Sequence, residues 1–331
     1  MLYCADIHSI LLKKIKNTFC HNTPPGDAII TRMPRYCCMK MSTATLLLVA
    51  LCSLSAHVHP QNRLFISELL YQPHSGEAEY VELYNAGDAP VDLSDYSIVR
   101  WVNDAPGRHY VLPSYTLAPH AYVALTKDAA SVAANYIVEN PSALIECDLP
   151  TYPNSGGSVL LARAADSLVI DRLDYTPDMH SPLLRNEAGV SLERRTFDRP
   201  TNEPSNWFSA SSTSGYGTPG YTNSQSTELL AEENSFTLSS NTLSLDGDDY
   251  QDVLTVEYTL ERGDLMCDAA VFDATGYRVA QPLNAALLGT HGSIEWSPAP
   301  TLPRGRYLLI INLYDTHGTR QTIRRTVSII K

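Results

Sequence analysis

The sequence predicts an all-β protein built as two successive sandwiches, and three observations carry that prediction. From Leu64 to Asn223, short runs rich in Val, Ile, Leu and Tyr alternate with clusters of Gly, Pro, Asn and Asp. Sustained helical periodicity is nearly absent from the same stretch. Beyond Phe236 the alternation returns, with Leu254, Val256, Tyr258 and Leu260 on one face of a strand.

In the first region the pattern predicts strands over 64–71, 80–85, 97–102, 122–125, 158–162, 168–175 and 190–194. Within Glu79-Tyr80-Val81-Glu82-Leu83-Tyr84-Asn85-Ala86-Gly87, Val81 and Leu83 share one face, while Tyr80, Glu82 and Tyr84 share the other. The Asn-Ala-Gly that follows supplies the turn. One helix is expected over 128–136, where Ala is frequent and Thr126 is placed to cap it. In the second region strands are expected over 254–260, 269–273, 293–296, 306–314 and 323–330. Turns are expected at Asp273-Ala274-Thr275-Gly276 and Asp315-Thr316-His317-Gly318, where Gly takes the positive φ of the reversal.

Several ordered pieces of the first region resemble the lamin-tail family. They are Phe65-Ile66-Ser67-Glu68-Leu69, the Glu79–Gly87 run with Val91-Asp92-Leu93-Ser94-Asp95-Tyr96, Leu112-Pro113 with Leu117-Ala118-Pro119, and Gly156-Gly157-Ser158-Val159-Leu160-Leu161. Val169-Ile170-Asp171, Leu173-Asp174-Tyr175, Gly189-Val190-Ser191-Leu192-Glu193-Arg194, Asn206-Trp207 and Gly217-Thr218-Pro219-Gly220 complete the series. The closing pieces are similar to the bacterial exported members more than to the nuclear ones, and no long heptad rod is present. The resemblance implies a lamin-tail immunoglobulin-like β-sandwich over 61–224. It does not supply a ligand.

The second region, 236–331, resembles the immunoglobulin-like domain of flagellar hook-capping proteins through Asp246-Gly247-Asp248 with Asp252, Val271-Phe272-Asp273-Ala274-Thr275-Gly276, Trp296 and Leu302-Pro303-Arg304-Gly305-Arg306-Tyr307. It is also similar to the C-terminal sorting domains of the Bacteroidetes type IX secretion route, which share the late Leu-Pro-x-Gly-x-Tyr strand and end near a basic residue, as Lys331 does. Either resemblance implies a second immunoglobulin-like sandwich; the sorting one adds the secretion machinery as a partner. The polar stretch 225–235 between the two regions is expected to be a linker.

The start of the chain predicts export. Lys40 precedes an apolar stretch from Leu46 to Leu54, and Ser53, Ser55 and Ala56 follow, which is the layout of a signal peptide over 39–60. The stretch is too short to span a bilayer as a helix, so no transmembrane helix is expected in the mature chain. Met39 or Met41 is then the expected initiator, and 1–38 a spurious extension. Leu51 before Cys52 disfavours lipidation at that cysteine. The expected location is the cell surface, outer membrane or medium, with the periplasm as the alternative.

Charge narrows the partners further. The 331 residues carry a formal charge of -12; the first sixty hold six basic and two acidic residues, so the remainder has 18 basic against 34 acidic residues and a charge of -16. Such a surface repels phosphate backbones, which argues against nucleic acid. Arg194-Arg195 is expected to form a structural ion pair rather than a local patch for phosphate. Protein or glycan ligands at the cell surface are the expected partners. Cys147 and Cys267 are the only mature cysteines, each expected as a small buried side chain with no disulfide framework.

Few residues suggest chemistry. Asp246, Asp248, Asp249 and Asp252 concentrate four carboxylates in a short loop, and hard oxygen ligands of that density bind Ca²⁺; a solvated Asp-rich turn is the competing expectation. Calcium is thus the one cofactor considered. Asp171, Asp174, Asp178 and His180 look catalytic on paper, yet Asp171 and Asp174 are an odd number apart, so a regular strand points them to opposite faces. Ser155-Gly156-Gly157-Ser158 lacks the surroundings of a phosphate loop or nucleophile elbow and reads as a tight turn. His109, His120, His291 and His317 are scattered singly. Trp101 and Tyr110 are the expected exposed aromatic contacts, Trp207 a core anchor. No catalytic set is assigned, and a non-enzymatic binding or structural module is expected, with metal-dependent hydrolysis the weakest alternative.

Overall fold

The computed structural model describes residues 64–248 and 250–330. The expected extension at 1–38, the signal peptide at 39–60 with Cys52, and residues 61–63, Asp249 and Lys331 lie outside the described residues. What is described is almost entirely β, as expected. In chain order the first region holds β1 (Leu64–Leu70), β2 (Tyr80–Asn85), β3 (Val91–Asp92), β4 (Tyr96–Val102), β5 (Ala105–Val111), β6 (Thr116–Leu117) and β7 (Tyr122–Thr126). Helix α1 (Ala129–Asn135) follows, then β8 (Leu144–Glu146), β9 (Gly157–Arg163), β10 (Val169–Tyr175), β11 (Leu192–Arg194) and β12 (Trp207–Ser209).

Six of these strands form one sheet in the order β12-β11-β1-β2-β7-β8, and four form a second in the order β10-β9-β4-β5. The alternation of the sequence builds the core between them: Ile66, Val81, Leu83 and Leu125 from the larger sheet meet Ile98, Val159, Leu161 and Leu173 from the smaller. Asn85 closes the β2 turn from inside. Its fully buried amide donates to the carbonyls of Ala89, Leu117 and Ala118 and accepts the Gly87 N–H. Helix α1 is capped by Asp128, whose side chain accepts the Ser131 N–H at 2.9 Å, instead of by Thr126; the Thr126 hydroxyl is already committed to the Glu79 carbonyl.

The second region holds β13 (Ser235–Leu238), β14 (Thr242–Leu243), β15 (Leu254–Thr259), β16 (Met266–Phe272), β17 (Arg278–Leu287), β18 (His291–Trp296), β19 (Gly305–Tyr314) and β20 (Arg320–Ile329). A three-stranded sheet, β13-β15-β18, and a five-stranded sheet, β14-β20-β19-β16-β17, enclose a core of Val256, Tyr258, Trp296, Val271, Leu309 and Ile311. Both expected turns form alike: Asp273 Oδ1 accepts the N–H groups of Thr275 and Tyr277, Asp315 Oδ1 those of His317 and Thr319, and Gly276 and Gly318 take φ of 85° and 88°.

Two features depart from the sequence reading. Strands β5 and β17 contain Pro106 and Pro282, and each lies at the edge of its sheet, where proline is tolerated because no ladder partner needs its missing N–H. The polar stretch expected as linker is not solvated at its start: Gln225 and Ser226 are buried along with Ser224. The Gln225 amide donates to the Ser209 carbonyl at 3.0 Å and to the Leu288 carbonyl at 3.1 Å, and the Ser224 carbonyl accepts the Thr290 N–H at 2.8 Å. Gln225 is polar because its amide satisfies carbonyls of both sandwiches at once.

The outer faces of the first sandwich differ. Over the six-stranded sheet, Val132 and Tyr136 pack on Leu70, Tyr80 and Ala124, and the returning segment 216–226 buries Thr218 and Asn223. Over the four-stranded sheet the face's own side chains close its middle, Val99, Leu160 and Ala162 packing with Trp101, while Val111 and Val169 on the flanking strands are exposed.

Candidate functional site

A groove opens where the loop before β2 meets the loop before β9. Glu79 lies at its base. The Thr126 hydroxyl donates to the Glu79 carbonyl at 2.7 Å, and the two Glu79 carboxyl oxygens receive the Tyr152 N–H at 3.1 and 3.3 Å. The result is a cavity of about 380 Å³ lined by Pro73, His74, Lys127, Leu149, Pro150 and Asn154 besides Glu79. Burial pushes the Glu79 carboxyl up to about 7, against the opposing pull of the Tyr152 N–H, Lys127 and Arg100. Near neutrality it therefore both donates and accepts hydrogen bonds, beside an ammonium donor and apolar walls. The sequence showed Glu79 only as the residue ahead of a strand; its burial depends on a loop 70 residues further along.

The two aromatic contacts expected from sequence do not share a face. Tyr110 pairs with Ile98, a core residue, and lies on the inner side of the edge strand under the Arg108 guanidinium, 4.5 Å from its ring centroid. Trp101 packs against Val99, Leu160 and Ala162 on the outer side, with the Arg172 guanidinium 4.7 Å from its ring. Trp207 is a core side chain, its indole N–H donating to the Thr201 carbonyl at 2.7 Å.

The carboxylate and imidazole cluster does not assemble. Asp171 turns inward, where Arg194 Nη1 reaches Oδ2 at 3.0 Å and the Ile66 N–H donates at 2.9 Å; this pair is buried on both sides. It is the structural ion pair expected of Arg194. Asp174 faces the other way, toward Ser158, Arg172 and Asn202. His180 is buried with Nδ1 2.8 Å from the Ser209 hydroxyl, and burial lowers it to about 4. Burial likewise raises Cys147 to about 11 and Cys267 to about 12, so both remain thiols. His109, His120, His291 and His317 each contact a different neighbour. At Gly156, φ of 106° and the nearby Tyr175 carbonyl fit the tight turn expected there.

The acidic loop does gather. One oxygen from each of Asp246, Asp248 and Asp252 lies within 4.8 Å of the others, while Asp249 is outside the described residues. Asp246 accepts the Ser244 hydroxyl and Asp248 the Tyr250 N–H, bonds that an Asp-rich turn makes without any ion. The donor set fits a hard cation such as Ca²⁺. Melting with calcium against chelator separates a site, which shifts the transition, from a turn, which does not.

Comparison with known proteins bears on the first sandwich. The family model described as Lamin Tail Domain matches residues 57–177, in agreement with the resemblance read from the motifs. No curated protein matches the chain. Among solved structures, CopC from Methylosinus trichosporium OB3b is 13% identical over 29% of this chain and 93% of its own, with a TM-score of 0.20. Dimeric latent PorU from Porphyromonas gingivalis is 9% identical over 81% of this chain and 20% of its own, at 0.23. A Ca²⁺-stabilized adhesin with which an Antarctic bacterium binds ice is 8% identical over 81% and 48%, at 0.20. Likenesses this weak carry no argument about function. Among the described residues, no helix is long and apolar enough to cross a membrane.

Proposed function

We propose that this protein is an exported, non-catalytic binding or structural module of the cell envelope or surface, and that the first sandwich takes a hydroxyl-rich ligand, a glycan chain or a polar peptide segment, at the Glu79 groove. The observation that carries this reading is the groove's composition. A carboxyl poised near neutrality, the Lys127 ammonium and the Asn154 amide offer hydrogen bonds, while Pro73, Leu149 and Pro150 offer an apolar surface. The acidic surface of the mature chain favours neutral or cationic partners over nucleic acid. The buried bonds from Ser224 and Gln225 support the second sandwich as a lasting part of the module rather than a removable sorting tag.

Arrays of neutral oligosaccharides and of peptides, probed with the full chain and with Glu79→Gln, test the binding. Selective retention lost in the variant supports the reading; no retention on either array sinks it. The intact mass of protein recovered from periplasm, outer membrane and medium tests the rest. A chain running through Lys331 fits a lasting module, whereas one ending near 224–234 restores the sorting role.

A further inference from the structure

Three glutamates stand side by side under the returning segment. Glu193 of β11 pairs with Glu68 of β1, and Glu68 pairs in turn with Glu82 of β2, so all three project from one face of the sheet. All are fully buried. None forms an ion pair with a Lys, Arg or His among the described residues. The titratable groups that face them are Tyr80 on β2, Tyr122 on β7, Tyr136 after α1 and Tyr221 on the returning segment. Burial raises each of these phenols, so they stay neutral. Three carboxylates with no cation cannot all be ionised in such a place.

The hydrogen bonds say where the protons are. Glu68 is surrounded by donors: the Tyr80 hydroxyl at 2.6 Å, the Ser191 hydroxyl, and the Thr218 N–H at 3.0 Å. Glu193 Oε2 accepts the Ser224 hydroxyl and the Gln225 N–H, both at 2.8 Å. The Thr218 hydroxyl lies 3.0 Å from both Glu68 Oε2 and Glu193 Oε1. A hydroxyl has one proton. If Thr218 gives it to Glu68, then Glu193 Oε1 must bring a proton of its own to the Thr218 oxygen. Glu82 has fewer donors about it than Glu68: the Gly220 N–H at 2.7 Å and the Ser67 hydroxyl, with no partner at Oε1 among the described residues.

We infer that near neutral pH this cluster holds Glu68 as its carboxylate and Glu82 and Glu193 as protonated acids, and that loss of the Glu193 proton in mild alkali unlatches the returning segment and the bonds it makes to the second sandwich, leaving those of Ser211, Ser212 and Thr213 in place. Burial raises all three carboxyls, and the Ser191, Tyr80 and Thr218 donors pull against it at Glu68; burial and the Glu68 charge push Glu193 up to about 8 and hold Glu82 well above its ordinary value. The mechanical link is short. Glu193 holds Ser224 and Gln225, the Ser224 carbonyl accepts the Thr290 N–H, and Gln225 donates to the Leu288 carbonyl. Ionised Glu193 would face ionised Glu68 across one hydroxyl, with no ion-pair partner among the described residues.

Amide exchange of the full chain between about pH 6 and about pH 9 tests the latch. Protection of the Thr218, Gly220 and Gln225 amides is expected to fall about tenfold per pH unit beyond the intrinsic base-catalysed rise once Glu193 titrates. In Glu193→Gln the extra fall disappears, because the amide NH₂ donates to Thr218 while its oxygen still accepts from Ser224 and Gln225. Equal extra loss in both proteins, or none in the native one, overturns the proposal. Should the variant fail to fold, infrared spectra of the native protein decide. A protonated-carboxyl band at neutral pH that weakens without vanishing as pH passes about 8, Glu82 keeping its proton, supports the latch; no such band, or one unchanged through that range, refutes it.

Discussion

On the outer side of the six-stranded sheet, Glu68, Glu82 and Glu193 are wholly buried, whereas on the outer side of the four-stranded sheet Val111 and Val169 are 61% and 44% exposed. Both faces belong to one sandwich and share one core. The difference lies in what the rest of the chain does. Residues 216–226 come back across the first face carrying N–H and O–H donors matched to the carboxyls, whereas the second is closed only at its middle, by Trp101 packing with Val99, Leu160 and Ala162. Burial in this molecule follows the path of the chain and the satisfaction of hydrogen bonds more closely than it follows residue polarity.

The comparison is broken most severely at its centre. Glu68→Ala takes the acceptor from the buried Tyr80 hydroxyl and Thr218 N–H, and should cost about 3–5 kcal/mol in chemical unfolding. A loss under 1 kcal/mol would mean that the returning segment is held by packing alone. The pH dependence comes next. A folded Glu193 at about 8 keeps a proton that the unfolded chain, with an ordinary value of 4.5, gives up; its contribution is complete below 4.5 and is lost as pH rises toward 8. Glu79, at about 7, acts in the same direction. His180 acts the opposite way, since burial holds it at about 4 against an ordinary 6.5; its contribution is present above 6.5 and is lost as pH falls through about 4. The raised carboxyls of Glu68, Glu79, Glu82 and Glu193 outnumber the lowered imidazoles of His180 and His291, so melting temperature should decline between about pH 4.5 and about pH 8, and Glu193→Gln should flatten the upper part of that decline.

The open face should respond least. Val111→Lys and Val169→Lys are each expected to change stability by no more than about 0.5 kcal/mol, because both side chains already meet solvent. A loss comparable with Glu68→Ala would show that this face is covered in solution, and sedimentation would then reveal self-association. Glu79→Gln removes the charge but keeps the Tyr152 N–H contact through its carbonyl, so a small stability change with altered ligand retention is expected.

Much of the fold was legible in the sequence. The run from Tyr80 to Asn85 forms the strand its alternation predicts, the two Asp-x-x-Gly turns close as their chemistry requires, and Asp171 and Asp174 point apart as an odd spacing demands. Where the reading failed, the cause is identifiable. Strands β5 and β17 carry proline and a broken alternation, which only an edge position tolerates. The start of the polar 225–235 stretch looked solvated because composition does not reveal that a glutamine is satisfying two carbonyls. The candidate groove was less legible still, since Glu79 and Tyr152 become neighbours only through the fold.

By itself, then, the sequence determined the all-β class, the order of most strands and the orientation of side chains along each, because those follow from a period of two and from local turn chemistry. Only the tertiary structure decided which polar faces are buried, which pairs of distant residues share a groove or a proton, and which edges admit proline. Those outcomes depend on groups far apart in the chain, such as Glu68 and Thr218 at 150 residues, whose meeting no local pattern encodes.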